Sequence, residues 1–447
     1  MSSLGQNVRV DDSRAGESER SKGRLFNLRG LLTMDFHPRK NTYDHAFMYL
    51  FIISAVLRLI WLDKPPGLLI FDETYYVNVA RIILKLPQQP NVWPNATPGI
   101  DSVNQEHPLL AKLLIALSIS VIGDNGWGWR IPSVVFGLLS IFVLYLLLKK
   151  TAKNPMIALM GTLLFSFDTL VFVHSRIATL DIFVLGFMLL GFYWYFSNRM
   201  KLSALGMALA TLCKISGFYG VLTLGAFHLG RVFLSRSRKV DWQSLLAVLE
   251  KYAIVYLVSF IALMALLDFF WGGYKNPFEH LSHIYTYTFA LRAPDVHGPN
   301  DIWSYPWYWL LDQVKIHYAT VNVTVYADHN VARTYPSVDF VGAMNPTIVF
   351  LTIPAMLYNA YRYYESRSDF ALFMLAWFSM TYLPFIPAAV FGHRIMYIFY
   401  FLNTVPAVAA SVAGMIVDQA PPRIIVVFYI AAVIGAFYMM FPFKIIP

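Results

Sequence analysis

Apolar residues run along most of the chain in blocks of up to about 20, broken by short polar turns, from residue 44 to the C-terminus. A helix of about 20 residues crosses a hydrocarbon core of ~30 Å. The pattern therefore predicts a helical bundle, which satisfies its backbone amides inside each span. Hydropathy places the spans near 44–62, 128–148, 156–173, 179–196, 202–214, 217–230, 250–271, 346–361, 370–390, 395–416 and 424–441. Short segments of alternating polarity, the mark of a membrane barrel, do not form this pattern. The expected class is an all-α integral membrane protein of about eleven transmembrane helices with two outer loops.

Residues 1–43 depart from this pattern, being polar and without an apolar h-region. They read as a cytoplasmic basic tail, partly disordered, ahead of a membrane domain over 44–447. No small-residue cleavage site follows the first apolar block, so that block is expected to stay as an anchor.

Composition agrees, since 57% of residues are hydrophobic and 14% charged, where an ordinary soluble domain carries roughly a quarter charged. Cys213 is the single cysteine, which excludes an intramolecular disulfide and any multi-Cys metal site. The formal charge of +9 does not form a basic groove with interleaved aromatics, so no nucleic-acid partner is expected. Its use is orientation. Lys149, Lys150 and Lys153, then Arg199 and Lys201, then Arg231, Arg236, Arg238 and Lys239, then Arg362 and Arg367, then Arg423 all fall on alternate turns. Basic short loops lie inside, which puts the N-terminus in the cytoplasm, the C-terminus outside, and residues 63–127 and 272–345 in outer loops. Sequons at Asn95 and Asn322 fall in those loops.

Polar side chains gather on the same outer side. FDETYYVNVARIIL opens with Asp72 and Glu73; EHPLLAKLL holds Glu106, His107 and Lys112; GDNGWGWRIPSVVFG puts Arg130 at the start of the second span. HSRIATLD supplies His174, Arg176 and Asp181, LCKISG supplies Lys214, and FGHRIMYIFYF supplies His393 and Arg394. Charge near hydrocarbon is costly and usually faces protein or a water-filled path, although span-end Arg and Lys also snorkel to headgroups and acidic first turns cap helices. Cations on several helices beside two carboxylates suit an anionic ligand, with one carboxylate in the part of a general base. His107, His174 and His393 lack a ligand-pair spacing, so no metal site is indicated.

In chain order, FDETYYVNVARIIL, EHPLLAKLLIAL, GWRIPSVVFG, FSFDTLVFVHSRIATLDIF, LATLCKISGFYG, SYPWYWLL and YLPFIPAAVFGHRIMYIFYF resemble the dolichyl-phosphate-mannose protein O-mannosyltransferase family. These are membrane glycosyltransferases of the GT-C fold class. The resemblance implies transfer of a sugar, mannose, from a polyprenyl (dolichyl) phosphate to an acceptor hydroxyl of protein Ser or Thr, with inversion, on the non-cytoplasmic face. It implies Asp72 as the base, Glu73 beside it for geometry or acceptor contact, and Arg130 on the donor phosphate. His107, Lys112, Arg176, Asp181, Lys214 and Arg394 follow as substrate-binding positions. The implied co-substrate is the lipid-phosphate sugar, with no cofactor, and the partners are that donor, an acceptor protein or glycan, and the bilayer. Leu109 and Ala111 depart from the family's HPPLGK-like element, and the second outer loop is too short for a β-trefoil domain. A compact form in a prokaryotic plasma membrane fits this better than one in the endoplasmic reticulum. Two other classes remain open: transfer from the same kind of donor to a lipid or N-linked glycan, and a transporter, whose repeated halves are not seen.

Overall fold

The computed structural model describes residues 40–86, 106–233, 242–294, 301–327 and 330–445. The tail ahead of residue 40 and the Asn95 sequon lie outside these residues. In chain order the main helices are α1 (Lys40–Leu59), α2 (Glu73–Ile83), α3 (Leu110–Ile122), α4 (Gly126–Thr151), α5 (Pro155–Ser166), α6 (Thr169–His174), α7 (Asp181–Phe196) and α8 (Met200–Cys213). They continue with α9 (Phe218–Phe233), α10 (Trp242–Leu267), α11 (Pro277–Ala290), α12 (Thr352–Ser366), α13 (Asp369–Tyr382), α14 (Val405–Gln419) and α15 (Arg423–Met439). Each of the eleven apolar blocks is helical, some with breaks. Three helices, Gly126–Thr151, Val248–Gly272 and Asp369–Val390, are long and apolar enough to cross a membrane by length and composition.

Local chemistry sets the boundaries. The Asn125 side chain accepts from Trp127 N and Gly128 N and starts α4; Asn154 does the same for Met156 N ahead of Pro155 in α5. Such caps satisfy amides that the first helical turn leaves without partners. The block predicted at 156–173 is split in two because the buried Asp168 carboxylate accepts from Val171 N, starting α6, and from Asn345 N. The Asn345 amide then reaches the Phe167 and Val433 carbonyls, tying α15 to the break. At Lys214 the chain reverses onto the last turn of α8. A Cβ on Gly217 would lie 2.4 Å from Ala210 C and Thr211 N, so no side chain fits there.

The buried core runs between α4, α5, α7, α8 and α14. Elsewhere the apolar surface faces outward: 61% of the apolar window in Gly126–Thr151 is buried but 22% of that in Val248–Gly272. Leu257 and Val258 of α10 are exposed. Such a helix presents its hydrophobicity to lipid rather than to a protein core.

The structure fills in the two outer segments and corrects the expectation of an all-α chain. Within 63–127, α2 and α3 are helices, and Lys112 is fully buried on α3. Within 272–345, strands β1 (Ile316–Ala327) and β2 (Asn330–Gly342) form an antiparallel hairpin. Its cause lies in the alternating, β-branched run IHYATVNVTVYA, which suits a pleated strand. The hairpin's second strand is covered in turn by the segment before the C-terminus: Asp339 N donates to Pro442 O and Lys444 N to Ser337 O.

Candidate active site

The site is built around the turn between α1 and α2. Glu73, the first residue of α2, is fully buried and accepts four hydrogen bonds: Arg130 Nε and Nη2 at 2.9 Å each, Ile70 N at 2.7 Å and Ala178 N at 2.9 Å. The remaining N–H groups of Arg130 go to the carbonyls of Leu62, Lys64 and Leu68. All five guanidinium donors are thereby used within the protein. This corrects two expectations: Arg130 has no donor left for a phosphate, and Glu73 has no surface for an acceptor. Together they pin the loop that carries Asp72.

The expectation for Arg176 is corrected too, although its buried Nε has no partner among the described residues. The side chain is buried, donates to the Leu57 and Ile60 carbonyls at the end of α1, and lies over the rings of Phe172 and Phe443. It satisfies orphan carbonyls at a helix C-terminus. Arg58 reinforces the joint by donating to Ser175 Oγ at 2.8 Å.

Asp72 is left free by this scaffold. It occupies the N-cap position of α2 but makes no capping bond, and among the described residues its carboxylate has no hydrogen-bond or ion-pair partner. Burial raises its pKa to about 7, with the Lys214 charge lowering it and the Asp181 charge raising it. The preceding residue, Phe71, has φ of +54°, a conformation that costs a bulky side chain energy and marks an over-determined site. Phe71 is held there by stacking on Tyr318 at 4.3 Å and by an edge contact with Phe399 at 5.6 Å. The Tyr318 hydroxyl hydrogen-bonds His174 Nε2 at 2.9 Å. Nothing in the sequence reading singled out Tyr318; the alternation around it was the available signal.

Four expected positions line one cavity of about 640 Å³: His107, Asp181, Lys214 and Arg394. Lys214 Nζ donates to both Asp181 oxygens, at 2.8 and 3.1 Å. The Tyr400 ring, also unanticipated, lies 5.2 Å from Lys214 Nζ and 5.4 Å from Arg394 Cζ. Cations over an aromatic face are held by its quadrupole. Arg394 Nε donates to Thr288 O at 3.1 Å, while Nη2 has no partner among the described residues. Burial and the charges of Lys214, Lys112 and Arg394 push the His107 pKa well down, so its imidazole is neutral. Lys112 donates to the His107 carbonyl at 2.9 Å and so positions that loop. The remaining wall is largely apolar, with Tyr256, Leu257, Phe260 and Ile261 of α10 and Phe278, Leu281 and Phe289 of α11. His393 is exposed, and among the described residues no group of three or more His, Cys, Asp or Glu could hold a metal ion.

Comparison with known proteins adds four findings. The family described as Dolichyl-phosphate-mannose-protein mannosyltransferase matches residues 106–267. The polyprenol-phosphate-mannose–protein mannosyltransferase of Mycolicibacterium smegmatis is 25% identical, over 91% of this chain and 90% of its own length. An undecaprenyl phosphate-α-4-amino-4-deoxy-L-arabinose arabinosyl transferase of Pseudomonas aeruginosa is 33% identical, over 26% of this chain and 20% of its own. Among solved structures, the S. cerevisiae protein O-mannosyltransferase complex bound to the sugar donor superposes with a TM-score of 0.65 at 11% identity, covering 93% of this chain and 91% of that one.

Proposed function

From a chain related along most of its length to the polyprenol-phosphate-mannose protein mannosyltransferases, we propose an enzyme that transfers mannose from a polyprenyl phosphate to the hydroxyl of a protein Ser or Thr. One observation carries the reading: Asp72, a buried carboxyl with no partner among the described residues, lies within electrostatic reach of Lys214 and Asp181, which line a cavity that joins cations to an apolar wall. The cations suit a phosphate and the wall a prenyl chain. We assign the phosphate to Lys214 and Arg394.

The acceptor oxygen attacks the sugar's C1, its proton passes to Asp72, and the C1–O bond to phosphate breaks. Attack opposite the leaving phosphate inverts the anomeric centre, and the polyprenyl phosphate departs with the bonding electrons. Asp181 holds Lys214 in place, and neutral His107 adds hydrogen-bonding capacity without competing for the negative charge. Glu73 and Arg130 fix the loop. Eleven spans with the N-terminus in the cytoplasm and Asp72 outside complete the proposal.

Purified protein in lipid, given polyprenyl-phosphate mannose and a Ser/Thr-rich peptide, should add a hexose to the peptide. Absence of turnover with any lipid-linked donor would remove the enzyme class. Transfer to a lipid or N-glycan but never to the peptide would select the neighbouring reading.

A further inference from the structure

A second cavity, of about 600 Å³, lies where α4 ends and α13 begins. Arg130 lies near the start of α4, and twenty residues at ~1.5 Å each place Lys150 about 30 Å further along the same helix, a hydrocarbon thickness from the Asp72 site. Lys150, Lys153 and Arg367 line this cavity from two separate turns of the chain. Both turns are fixed by left-handed residues, with φ of +55° at Lys153 and +53° at Arg367. None of the three side chains has a hydrogen-bond or ion-pair partner among the described residues; the Arg367 guanidinium lies over the Tyr363 ring at 5.2 Å. The carboxylate that also lines the cavity, Asp369, pairs with Arg231 at 3.3 Å. Phe196 and Phe370 complete the lining.

Span-end lysines ordinarily snorkel separately into headgroups. Here two lysines and an arginine meet around one concavity that opens beside apolar rings. We infer that this cavity binds a phosphate-bearing anion, either an anionic phospholipid headgroup or free phosphate, at the membrane boundary opposite Asp72. Charge-assisted hydrogen bonds from Arg and Lys suit the phosphate oxygens, and the two rings suit the glycerol and first methylenes of a lipid.

The test is native mass spectrometry of the full-length protein in neutral detergent, titrated separately with phosphatidylglycerol, phosphatidylcholine and inorganic phosphate. Wild type should retain phosphatidylglycerol in preference to phosphatidylcholine. The Lys150→Gln/Lys153→Gln/Arg367→Gln variant should bind it about tenfold more weakly or worse. The control Arg199→Gln/Lys201→Gln/Lys251→Gln, which removes as much charge from the same face outside the cavity, should bind as wild type. Displacement by inorganic phosphate at comparable concentration assigns the site to the free anion; resistance to it assigns the site to the lipid. Equal loss in the control, equal binding by the cavity variant, or equal retention of phosphatidylcholine would overturn the inference. Single Lys153→Gln and Arg367→Gln variants, each expected to lose part of the affinity, decide the matter should the triple variant not fold.

Discussion

Glu73 and Arg130 hold each other through two parallel hydrogen bonds, Nε to Oε1 and Nη2 to Oε2, each 2.9 Å and both fully buried. Removing one member of a buried pair strands the other charge, at a cost of about 3–5 kcal/mol. Glu73→Gln and Arg130→Leu should therefore lower the thermal unfolding temperature in lipid as well as abolish turnover. Arg130→Lys keeps the charge but loses the fork and the carbonyl contacts, and should also be destabilised. Were Arg130 a phosphate ligand, the lysine variant would keep its stability and show only weaker donor binding.

Asp72→Asn should fold, bind the donor and lose turnover by about 10²–10⁴-fold, the range for removal of a general base. Its stability should respond to pH in a specific sense. A carboxyl whose folded pKa lies near 7 rather than 3.8 binds protons more tightly in the folded state, so ionising it disfavours folding as pH rises from about 4 through 7. The amide variant should match wild type at pH 4 and be the more stable of the two at pH 8, by thermal unfolding at both values.

The same group sets a limb in the activity profile. Turnover should rise with pH through about 7, as Asp72 gives up its proton. Lys214→Gln removes a charge that lowers the Asp72 pKa and leaves Asp181, which raises it. The limb should move to higher pH in that variant; an unmoved limb would separate the titrating group from this pair.

Arg394→Gln and Lys214→Gln should raise the donor KM by about tenfold each, as loss of a charge-assisted contact to phosphate predicts. The acceptor KM should barely change. The opposite pattern would place the acceptor, not the lipid phosphate, between these side chains.

Tyr318 separates two roles. Tyr318→Phe keeps the stack under Phe71 and leaves the buried His174 Nε2 without its 2.9 Å partner, which costs about 1–3 kcal/mol of stability. Tyr318→Ala also withdraws support from the left-handed Phe71 and should cut kcat well below that of the phenylalanine variant.

Hydropathy made the helical stretches legible because lipid demands long apolar runs, and parity then placed Asp72, His107, Lys214 and Arg394 near one another. Arg130 and Arg176 were misread for a physical reason: a cation at a span end has the same sequence signature whether its donors meet a ligand or backbone carbonyls. The hairpin was missed because Thr and Asn on its exposed face made a strand resemble a polar loop. Tyr400 was one aromatic in YIFYF, and only the fold brings its ring against two cations.

Residues Phe441–Lys444 lie beside the hairpin strand and place Phe443 against Arg176, which in turn closes the end of α1. Those residues lie far downstream of Asp72 along the chain. The surroundings of Asp72 are thus assembled from widely separated parts of the chain, and a chain translated only through Asp72 lacks the neighbours that later enclose it. Enclosure of that carboxyl waits on residues translated long after it.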